Sequence, residues 1–286
     1  MPSGIVIIDK PAGWTSMDVC AKLRGILREK RVGHAGTLDP MATGVLPVFV
    51  GAATKAVSFA ENGEKEYLAG LRLGTVTDTQ DITGTVLETR PVCVSRADVE
   101  SALQRFTGTI RQLPPMYSAV KVNGQRLYAL ARRGQSAERV PRSVTISSLD
   151  LLEQNGPADF SLRCRCSKGT YIRTLCHDIG SALGCGGCLS SLRRTMAAGF
   201  TLEQAVTLEE VQARGAALLE PLDAFFSDVP AYVLSSPRQE FLCRNGNPLP
   251  DCALPNGRYR VYGADGTFLC LSEAAGGTLT AVRNFF

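Results

Sequence analysis

Residues 160–173 read FSLRCRCSKGTYIR, and this stretch decides the class of fold. In its first half every second side chain is apolar: Phe160, Leu162, Cys164 and Cys166. From Ile172 to Leu183 the apolar residues instead keep the three- and four-residue spacing of a helix, and Gly184 is suited to end it. The stretch therefore predicts a strand buried on one face, a turn at residues 167–169 and a helix. Half-buried strands favour a mixed or antiparallel sheet with helices packed on it over a parallel doubly wound sheet, so we expect an α+β fold.

The alternating spacing of a strand and the three- and four-residue spacing of a helix recur along the chain. Alternating apolar residues predict a strand at residues 67–73, and a short apolar run predicts a buried strand at residues 5–8. Helix starts are predicted where a hydroxyl side chain precedes apolar residues at helical spacing, namely at Thr15-Ser16, Ser95 and Thr207. Residues 32–47 are interrupted by glycine and proline, and we expect them to form a loop without regular structure.

The character of the sequence changes after Pro230. Short strand-like runs, separated by turns rich in glycine and aspartate, occur at residues 259–262, 268–271 and 279–285. The length of 286 residues is compatible with one or two domains. We expect two, namely residues 1–229 and a small β-rich domain at residues 230–286.

Composition sets few limits on function, but the scarcity of histidine sets some. The formal net charge is +4 and 44% of the residues are hydrophobic, as in an ordinary globular protein. Only two histidines argue against most metal sites and histidine-based proton relays, and common phosphate-loop, dinucleotide and zinc-protease motifs are absent. We expect no metal and no organic cofactor, with acid–base chemistry carried by carboxylates or tyrosine. Neither a secretory signal nor an apolar run of roughly 20 residues is present, so we expect a cytoplasmic protein without a membrane span.

Ten cysteines leave a zinc site open. The pair Cys164 and Cys166 and the pair Cys185 and Cys188 could supply four ligands, although only the second pair has a common ligand spacing. Cys164 and Cys166 alternate with arginines, as the core-facing residues of a strand do. We expect reduced thiols that pack inside the protein.

Residues 31–44, RVGHAGTLDPMATG, are the segment most typical of a functional loop. Its three glycines permit unusual backbone angles or a close approach to a ligand, and Pro40 restricts Asp39 to an extended conformation. Two interpretations of Asp39 remain open at this point. It is either a positioned nucleophilic carboxylate with apolar Leu38 and Met41 beside it, or the capping residue of an ordinary turn.

The turn between the predicted strand and helix, at residues 166–173, is a second candidate. It offers free backbone N–H groups beside Lys168 and Arg173, which together suit an anion. Arg173 can instead pair with a carboxylate and hold it ionised, or be an ordinary surface arginine.

Positive charge is concentrated at residues 111–142, where Tyr117 and Tyr128 are interleaved with basic residues. A single acid, Glu138, stands among the basic side chains of this segment, which are Lys121, Arg126, Arg132, Arg133, Arg139 and Arg142. Basic side chains mixed with aromatic rings suit an RNA backbone and exposed bases. In a protein of nearly balanced charge, this concentration favours a nucleic acid partner.

Six stretches, taken in order, resemble the bacterial TruB-type tRNA pseudouridine synthases. They are Asp9-Lys10-Pro11-x-Gly13, the run from Gly33 to Pro40, Tyr67 with Leu73-Gly74-x-x-Thr77-Asp78-Thr79-x-Asp81, Pro114-Pro115-x-Tyr117-Ser118-Ala119-x-Lys121, the run from Ser167 to Arg173, and Leu192-Arg193-Arg194-Thr195. Any one of them is modest evidence, but six in this order are highly specific. The resemblance implies the pseudouridine synthase fold and an enzyme that isomerises uridine 55 in the T-arm loop of tRNA.

The resemblance also implies roles for individual residues. Asp39 is then the catalytic aspartate, Arg173 its ion-pair partner and Tyr67 the ring that stacks on the target base. The other candidates contact substrate: His34 fills the space that the flipped base leaves, Tyr171 and Leu192 line the uracil pocket, Lys10 lies close to the site, and Lys121 contacts RNA. Residues 111–142 match an insertion that clasps the T-arm, and residues 230–286 resemble a reduced PUA RNA-binding domain.

The chemistry suits these residue types. The reaction breaks the N-glycosidic bond, rotates the detached uracil and rejoins it through C5. A carboxylate can attack ribose C1′ or assist formation of a glycal, and both routes stay open. The Tyr67 ring can hold the detached uracil, and its hydroxyl is a candidate for helping to remove the C5 proton. The uridine must leave its folded loop at a cost of about a few kcal/mol, which phosphate contacts of the insertion can offset. We expect tRNA as the partner of a monomer.

Two other functions stay open. A protein whose main task is to bind and remodel tRNA needs the basic insertion and the C-terminal domain, but not Asp39, Arg173 and Tyr67. An aspartate-dependent hydrolase or phosphatase needs Asp39, although such phosphatases carry a second aspartate where Met41 stands here.

Overall fold

The computed structural model describes residues 2–286. Its strands, in chain order, are β1 (Gly4–Lys10), β2 (Val32–His34), β3 (Thr43–Val50), β4 (Lys65–Leu73), β5 (Thr75–Thr77), β6 (Val86–Thr89), β7 (Gly108–Gln112), β8 (Lys121–Val122), β9 (Gln125–Arg126), β10 (Arg142–Gln154), β11 (Asp159–Cys166), β12 (Gly187–Ala197), β13 (Phe200–Thr201), β14 (Ala231–Val233), β15 (Gly257–Tyr262), β16 (Phe268–Ala275) and β17 (Thr278–Asn284). Its α-helices are α1 (Ser16–Leu27), α2 (Val57–Glu61), α3 (Arg96–Gln104), α4 (Leu127–Ala131), α5 (Ile172–Ala182), α6 (Leu208–Arg214) and α7 (Pro237–Arg244). Of the helices in residues 2–286, none has both the length and the apolarity needed to cross a membrane.

One large sheet forms the centre of the protein. Its strands lie in the order β1-β3-β12-β4-β11-β10-β7, with β2 added to β3 and β13 added to β12. Every neighbouring pair is antiparallel except β3 and β12, which run parallel. Helices α3 and α5 pack on the sheet, and α5 follows β11 as the opening stretch predicts. The predicted α+β class, with a mixed and largely antiparallel sheet, is confirmed.

Local capping explains why the helices begin where the sequence predicts. Thr15, Ser95 and Thr207 are the N-caps of α1, α3 and α6. Each accepts a hydrogen bond from the backbone N–H three residues on, and the acidic side chain there accepts one from the backbone N–H of the cap residue. This reciprocal pair satisfies two N–H groups that the first turn of a helix leaves unpaired.

The prediction of a loop at residues 32–47 is wrong at both ends. β2 and β3 occupy much of this range, and only residues 35–42 between them are irregular. The side chains of β3 enter two different apolar cores, Val45 and Phe49 on one face and Leu46, Val48 and Val50 on the other. Because both faces are covered, the strand lacks the alternation that marks a half-buried one. Pro47 is accommodated within it, and its carbonyl accepts a hydrogen bond from the Ala35 N–H at 2.9 Å.

The main core lies where α3 and α5 cover strands β4, β11 and β12. It includes Leu71 and Leu73 of β4, Phe160 and Leu162 of β11, Leu189 of β12, and Leu175 and Ile179 of α5, each almost fully buried. Leu38, Tyr67 and Ile172 belong to the same cluster. The loop before β3 and the start of α5 are therefore packed against one face of the sheet.

The last 55 or so residues form a second sheet, in the order β14-β15-β16-β17. The three predicted strand-like runs are found as β15, β16 and β17. This sheet has an apolar core of its own that includes Leu234, Val261 and Leu269. It also packs on the rest of the protein, because Phe226 lies 6.2 Å and 5.9 Å, between ring centroids, from Phe268 and Phe285.

Residues 113–141 leave the large sheet as an insertion between β7 and β10. The insertion contains the short hairpin of β8 and β9 and the single-turn helix α4. Gln112, the last residue of β7, lies opposite Arg142, the first residue of β10. The two ends of the insertion therefore meet at one point on the edge of the sheet.

Candidate active site

The carboxylate of Asp39 meets the guanidinium of Arg173. Arg173 donates from Nε to Oδ2 at 2.9 Å and from Nη2 to Oδ1 at 3.2 Å, a two-pronged geometry that fixes both groups. The arginine side chain is buried at 5% exposure, whereas that of Asp39 is 37% exposed. One side of the carboxylate therefore remains open to a substrate.

Arg173 also binds two other loops. Its Nη1 donates to the carbonyl oxygen of Thr79 at 3.0 Å, and its Nη2 donates to the carbonyl oxygen of Tyr117 at 2.8 Å. One guanidinium thus joins the loop of Asp39, the turn after β5 and the beginning of the insertion. Since a planar fork of five N–H donors can serve several acceptors at once, arginine suits this position better than lysine.

A second carboxylate, Asp81, lies behind the same guanidinium. Its Oδ2 is 3.8 Å from Arg173 Nε, and its side chain is only 8% exposed. Its Oδ1 accepts hydrogen bonds from the Thr79 hydroxyl at 3.0 Å and from the N–H and hydroxyl of Thr83 at 3.0 and 2.6 Å. Asp81 belongs to a stretch that carries the resemblance, but sequence reasoning gave it no role. Its contact with Arg173 crosses from one loop to a helix, and no local pattern reveals it.

Hydrogen bonds to the main chain of the residues on either side of Asp39 hold its loop in place. The buried hydroxyl of Ser16 accepts from the Leu38 N–H at 2.9 Å and lies 3.2 Å from the Leu38 carbonyl oxygen. The Pro40 carbonyl accepts from the Gly13 N–H at 2.8 Å. Residues on both sides of Asp39 are therefore held, which restricts the directions that its side chain can take.

Lys10 is fully buried beneath this loop. Its Nζ donates to the carbonyl oxygens of Pro11, Trp14 and Pro40 at 2.9, 2.6 and 3.3 Å, so each of its three N–H groups has an acceptor. Burial lowers the pKa of Lys10 to about 8, although the nearby charge of Asp39 opposes the shift. The ammonium group of Lys10 therefore binds protein carbonyls, one of them that of Pro40 next to Asp39.

Arg194 is the buried charge that organises the glycine-rich segment. It is 1% exposed, and it donates from Nε to the Val45 carbonyl at 2.7 Å and from Nη2 to the Gly36 carbonyl at 3.0 Å. A side chain at Gly36 (φ +80°) would crowd Arg194 Nη1, and one at Gly44 (φ +101°) would overlap the Arg194 main chain. These glycines thus permit the backbone to approach the arginine. Sequence reasoning singled out Arg194 only as part of a motif.

Tyr67 and Leu192 lie on the same face of the large sheet as Arg194. Tyr67 of β4 is directly opposite Arg194 of β12, and Leu192 is opposite Ala69, two residues further along β4. Both side chains are almost buried, at 8% exposure each. Burial raises the pKa of Tyr67, while the charge of Arg194 and a hydrogen bond from it act against the shift. The Tyr67 hydroxyl therefore keeps its proton at neutral pH.

His34 ends β2, just before the loop of Asp39. Its Nδ1 is buried and has no hydrogen-bond partner within residues 2–286. Burial lowers the pKa of His34, and the charge of Arg194 adds to the shift. The imidazole is therefore neutral at neutral pH.

Tyr171 immediately precedes α5, and hydrogen bonds to its N–H and carbonyl hold it in place. The side chain of Gln112 binds both the N–H and the carbonyl of Tyr171, at 2.7 and 3.0 Å. Lys121 lies elsewhere, exposed on β8 of the insertion. The structure thus gathers Lys10, Asp39, Tyr67 and Arg173 on one side of the large sheet and leaves Lys121 outside their contacts.

Nine of the ten cysteines are buried, whereas Cys93 is exposed. Cys164, Cys166, Cys176 and Cys185 belong to the main core, Cys188 is fully buried, and their thiols are free. Across the described range, residues 2–286, no three His, Cys, Asp or Glu side chains are grouped as metal ligands would be. The chemical groups of the site are thus an open carboxylate, a buried guanidinium that fixes it, and a phenol ring on the neighbouring strand.

Two family profiles match consecutive parts of the chain. The N-terminal domain of the TruB family of pseudouridylate synthases matches residues 24–172, and the C-terminal domain of tRNA pseudouridylate synthase B matches residues 173–227. The tRNA pseudouridine synthase B of Pseudomonas fluorescens (strain Pf0-1) is 45% identical over 282 residues, covering 96% of this chain and 92% of that protein. The enzyme of the same name from Azoarcus sp. (strain BH72) is 45% identical over 284 residues, with 98% and 94% covered.

Solved structures agree with these similarities. A chain in the crystal structure of a Cbf5–Nop10–Gar1 complex superposes with a TM-score of 0.74 at 25% identity, covering 99% of this chain and 85% of that chain. A chain in the structure of an H/ACA RNP bound to a substrate RNA containing 2′-deoxyuridine gives a TM-score of 0.73 at 23% identity, with the same coverage. The second likeness concerns the fold alone.

Proposed function

The chain belongs to the TruB family of tRNA pseudouridine synthases, and from this premise we propose that it isomerises uridine 55 of the T-arm loop with Asp39 as catalytic carboxylate. The family establishes the reaction class, an isomerisation of uridine in tRNA to pseudouridine. The observation that carries the assignment of Asp39 is its hydrogen-bonded pairing with Arg173, with one side of the carboxylate left open.

The first step of the proposed reaction extrudes the target uridine from its loop. Unpairing and unstacking cost about a few kcal/mol. Phosphate contacts of the exposed basic residues on the insertion offset this cost, and Lys121 is one of them. His34, neutral and with an unpaired buried Nδ1, fills the space that the base leaves in the RNA.

Asp39 then acts at the sugar of the everted nucleoside. The bond between C1′ and N1 breaks, the uracil turns, and a bond between C1′ and C5 forms, while C5 loses a proton and N1 gains one. No atom enters or leaves overall, as an isomerisation requires. The carboxylate either attacks C1′ or assists formation of a glycal, and its fixed orientation by Arg173 serves both routes.

Tyr67, Leu192 and Tyr171 form the proposed pocket for the uracil ring. A base stacked on an aromatic side chain gains roughly 1–3 kcal/mol, enough to retain the detached uracil while it turns. Because burial raises the pKa of Tyr67, its hydroxyl enters the reaction with its proton in place. The ring is thus the main contribution of this residue, and loss of the C5 proton requires an acceptor other than a preformed phenolate.

We further propose that residues 1–229 are the catalytic domain and that residues 230–286 are a reduced PUA-like domain that binds RNA. The separate apolar core of the second sheet supports this boundary. The contact of Phe226 with Phe268 and Phe285 supports a fixed arrangement of the two domains. We also propose that the enzyme acts as a monomer.

The decisive experiment removes the charge of Asp39 while preserving its shape. We expect Asp39→Asn to abolish pseudouridine formation in an unmodified tRNA transcript, and to keep the tRNA dissociation constant within about tenfold, or ~1.4 kcal/mol. Chemical labelling of pseudouridine, mapped along the transcript, measures both the yield and the position. Asp150→Asn, an exposed change on β10, is the control and should retain full activity. Product formed by Asp39→Asn would exclude Asp39, and product at a position other than 55 would exclude the proposed target.

The same assay separates the two competing functions. An RNA-remodelling protein would tolerate Asp39→Asn in every assay, since the basic insertion is unchanged. A hydrolase would release free uracil or phosphate from tRNA, whereas an isomerase releases neither.

A further inference from the structure

The insertion is joined to the sheet at a single narrow neck. β7 ends at Gln112 and β10 begins at Arg142, and the two residues are partners across the strands. A second contact ties the neck, because Arg139 Nη1 donates to the Pro114 carbonyl at 3.0 Å. Gln112 therefore marks one of the two points at which residues 113–141 join the sheet.

The side chain of Gln112 turns inward from this neck. It is 2% exposed, and its amide forms two reciprocal hydrogen bonds with the main chain of Tyr171. Oε1 accepts from the Tyr171 N–H at 2.7 Å, and Nε2 donates to the Tyr171 carbonyl at 3.0 Å. A buried amide that loses such partners is left with the full cost of desolvation, so this contact strongly fixes the distance between the neck and Tyr171.

Tyr171 is the residue from which α5 begins, and the helix has no side-chain cap there. Arg173 follows two residues later, in the first turn. The position of that turn therefore depends on the contact with Gln112. The insertion itself contacts Arg173 directly, because Arg173 Nη2 donates a hydrogen bond to the Tyr117 carbonyl at 2.8 Å.

We infer that Gln112 is a positioning residue that links the RNA-clasping insertion to the Asp39–Arg173 pair. Two contacts, from Gln112 at the base of the insertion to Tyr171 and from Tyr117 within the insertion to Arg173, place the catalytic carboxylate relative to the bound RNA. The inference rests on the proposed function, because it assigns the insertion to RNA and Asp39 to the reaction. Gln112 touches neither the substrate nor Asp39, and acts only through α5.

The expected effect is on the rate and not on affinity. A displacement of about 1 Å at reacting groups can reduce a rate by roughly 100-fold. The exposed basic side chains of the insertion are untouched by a change at Gln112, so the electrostatic part of binding persists. A residue that merely stabilised the fold would instead lower thermal stability without this separation of rate from binding.

The first test is Gln112→Met, which keeps the approximate volume and removes both hydrogen bonds. With saturating enzyme and unmodified tRNA, we expect the single-turnover rate to fall by about 10- to 100-fold and the dissociation constant to change by less than about threefold. Gln104→Met, at an exposed position at the end of α3, is the control and should match the unaltered enzyme. A single-turnover rate within about twofold of the unaltered enzyme, in a folded variant, would overturn the inference.

A second variant remains informative if Gln112→Met does not fold. In Gln112→Glu, the ionised carboxylate can accept from the Tyr171 N–H but cannot donate to the Tyr171 carbonyl, whereas the protonated acid can do both. Burial raises the pKa of a carboxyl group, which brings the change into a measurable range. We expect the rate of Gln112→Glu, divided by that of the unaltered enzyme at the same pH, to rise as pH falls. A ratio that is constant or falls toward low pH would contradict the positioning role.

The outcomes separate this inference from the proposed function. If Gln112→Met is fully active and Asp39→Asn is inactive, only the inference fails. If Asp39→Asn forms product, the assignment of Asp39 as the catalytic carboxylate fails, and the positioning role of Gln112 fails with it.

Discussion

At the scale of single residues, the loop that carries Asp39 depends on the buried Arg194. Arg194→Lys keeps the positive charge but not the fork that serves the Val45 and Gly36 carbonyls. Since each hydrogen bond to a charged group contributes roughly 1.5–3 kcal/mol, we expect the free energy of unfolding to fall by about 2–4 kcal/mol. Urea unfolding measures this change. Arg193→Lys is the matched control, because Arg193 is 40% exposed in its pair with Asp9 and should alter stability by less than about 1 kcal/mol. Equal losses in the two variants would refute the role of Arg194.

Lys10 gives a prediction of pH dependence. Its pKa in the folded protein is about 8, below the usual 10.5, because the ammonium is buried. Below pH 8 the charged ammonium has three N–H donors for its three carbonyl acceptors. Above pH 8 the neutral amine has only two donors, and it no longer balances the negative charge of Asp39. We expect the single-turnover rate to fall as pH rises through about 8. Lys10→Arg stays charged and should lose this descent, which distinguishes Lys10 from ionisation of uracil. A rate that is level from pH 7 to 9 in the unaltered enzyme would show that Lys10 does not matter in this way.

The residues that sequence reasoning found and missed differ in a physical way. Asp39, Arg173 and Tyr67 were identified through a resemblance in short motifs. Asp81 and Gln112 were given no role, since their contacts with Arg173 and Tyr171 arise between segments far apart in the chain. Such contacts depend on strand register and loop path, which no local pattern of apolar or charged residues specifies.

At the scale of elements, the accuracy of prediction followed how local each stabilising interaction is. The start of α1 could be predicted because Thr15 and Asp18 cap it within four residues. Strand β11 could be predicted because one face is buried and the other is not, which leaves an alternating pattern. β3 could not, since its neighbours cover both faces and its glycine and proline resemble those of a loop. The expected loop was therefore longer than residues 35–42, although it correctly contained Asp39.

At the scale of the whole molecule, a net charge of +4 conceals an uneven distribution. The insertion exposes Arg126, Arg132 and Arg133, and the guanidinium carbons of Arg126 and Arg132 lie 5.9 and 5.4 Å from the ring centroid of Tyr128. The arginines that flank this ring present charge and a flat surface together, which suits an RNA backbone with exposed bases. The large sheet and its core hold the proposed catalytic groups, and the neck at Gln112 connects them with the insertion.

This distribution predicts how tRNA binding responds to salt. If the insertion makes about four to six phosphate contacts, the logarithm of the association constant should fall by roughly 3–5 units per tenfold rise in salt. Replacing Arg126, Arg132 and Arg133 together by glutamine should reduce that slope by about 2–3 units, because a protein that makes fewer phosphate contacts releases fewer counterions when it binds. The matched control is the triple replacement by glutamine of Lys22, Arg28 and Lys30, which are exposed on and just after α1. It should leave the slope unchanged. Filter binding or fluorescence titration from low to physiological salt measures all three proteins. An equal loss of slope in both triple variants would mean that the attraction to RNA comes from the overall charge, and a flat response in the unaltered protein would remove the electrostatic role of the insertion altogether.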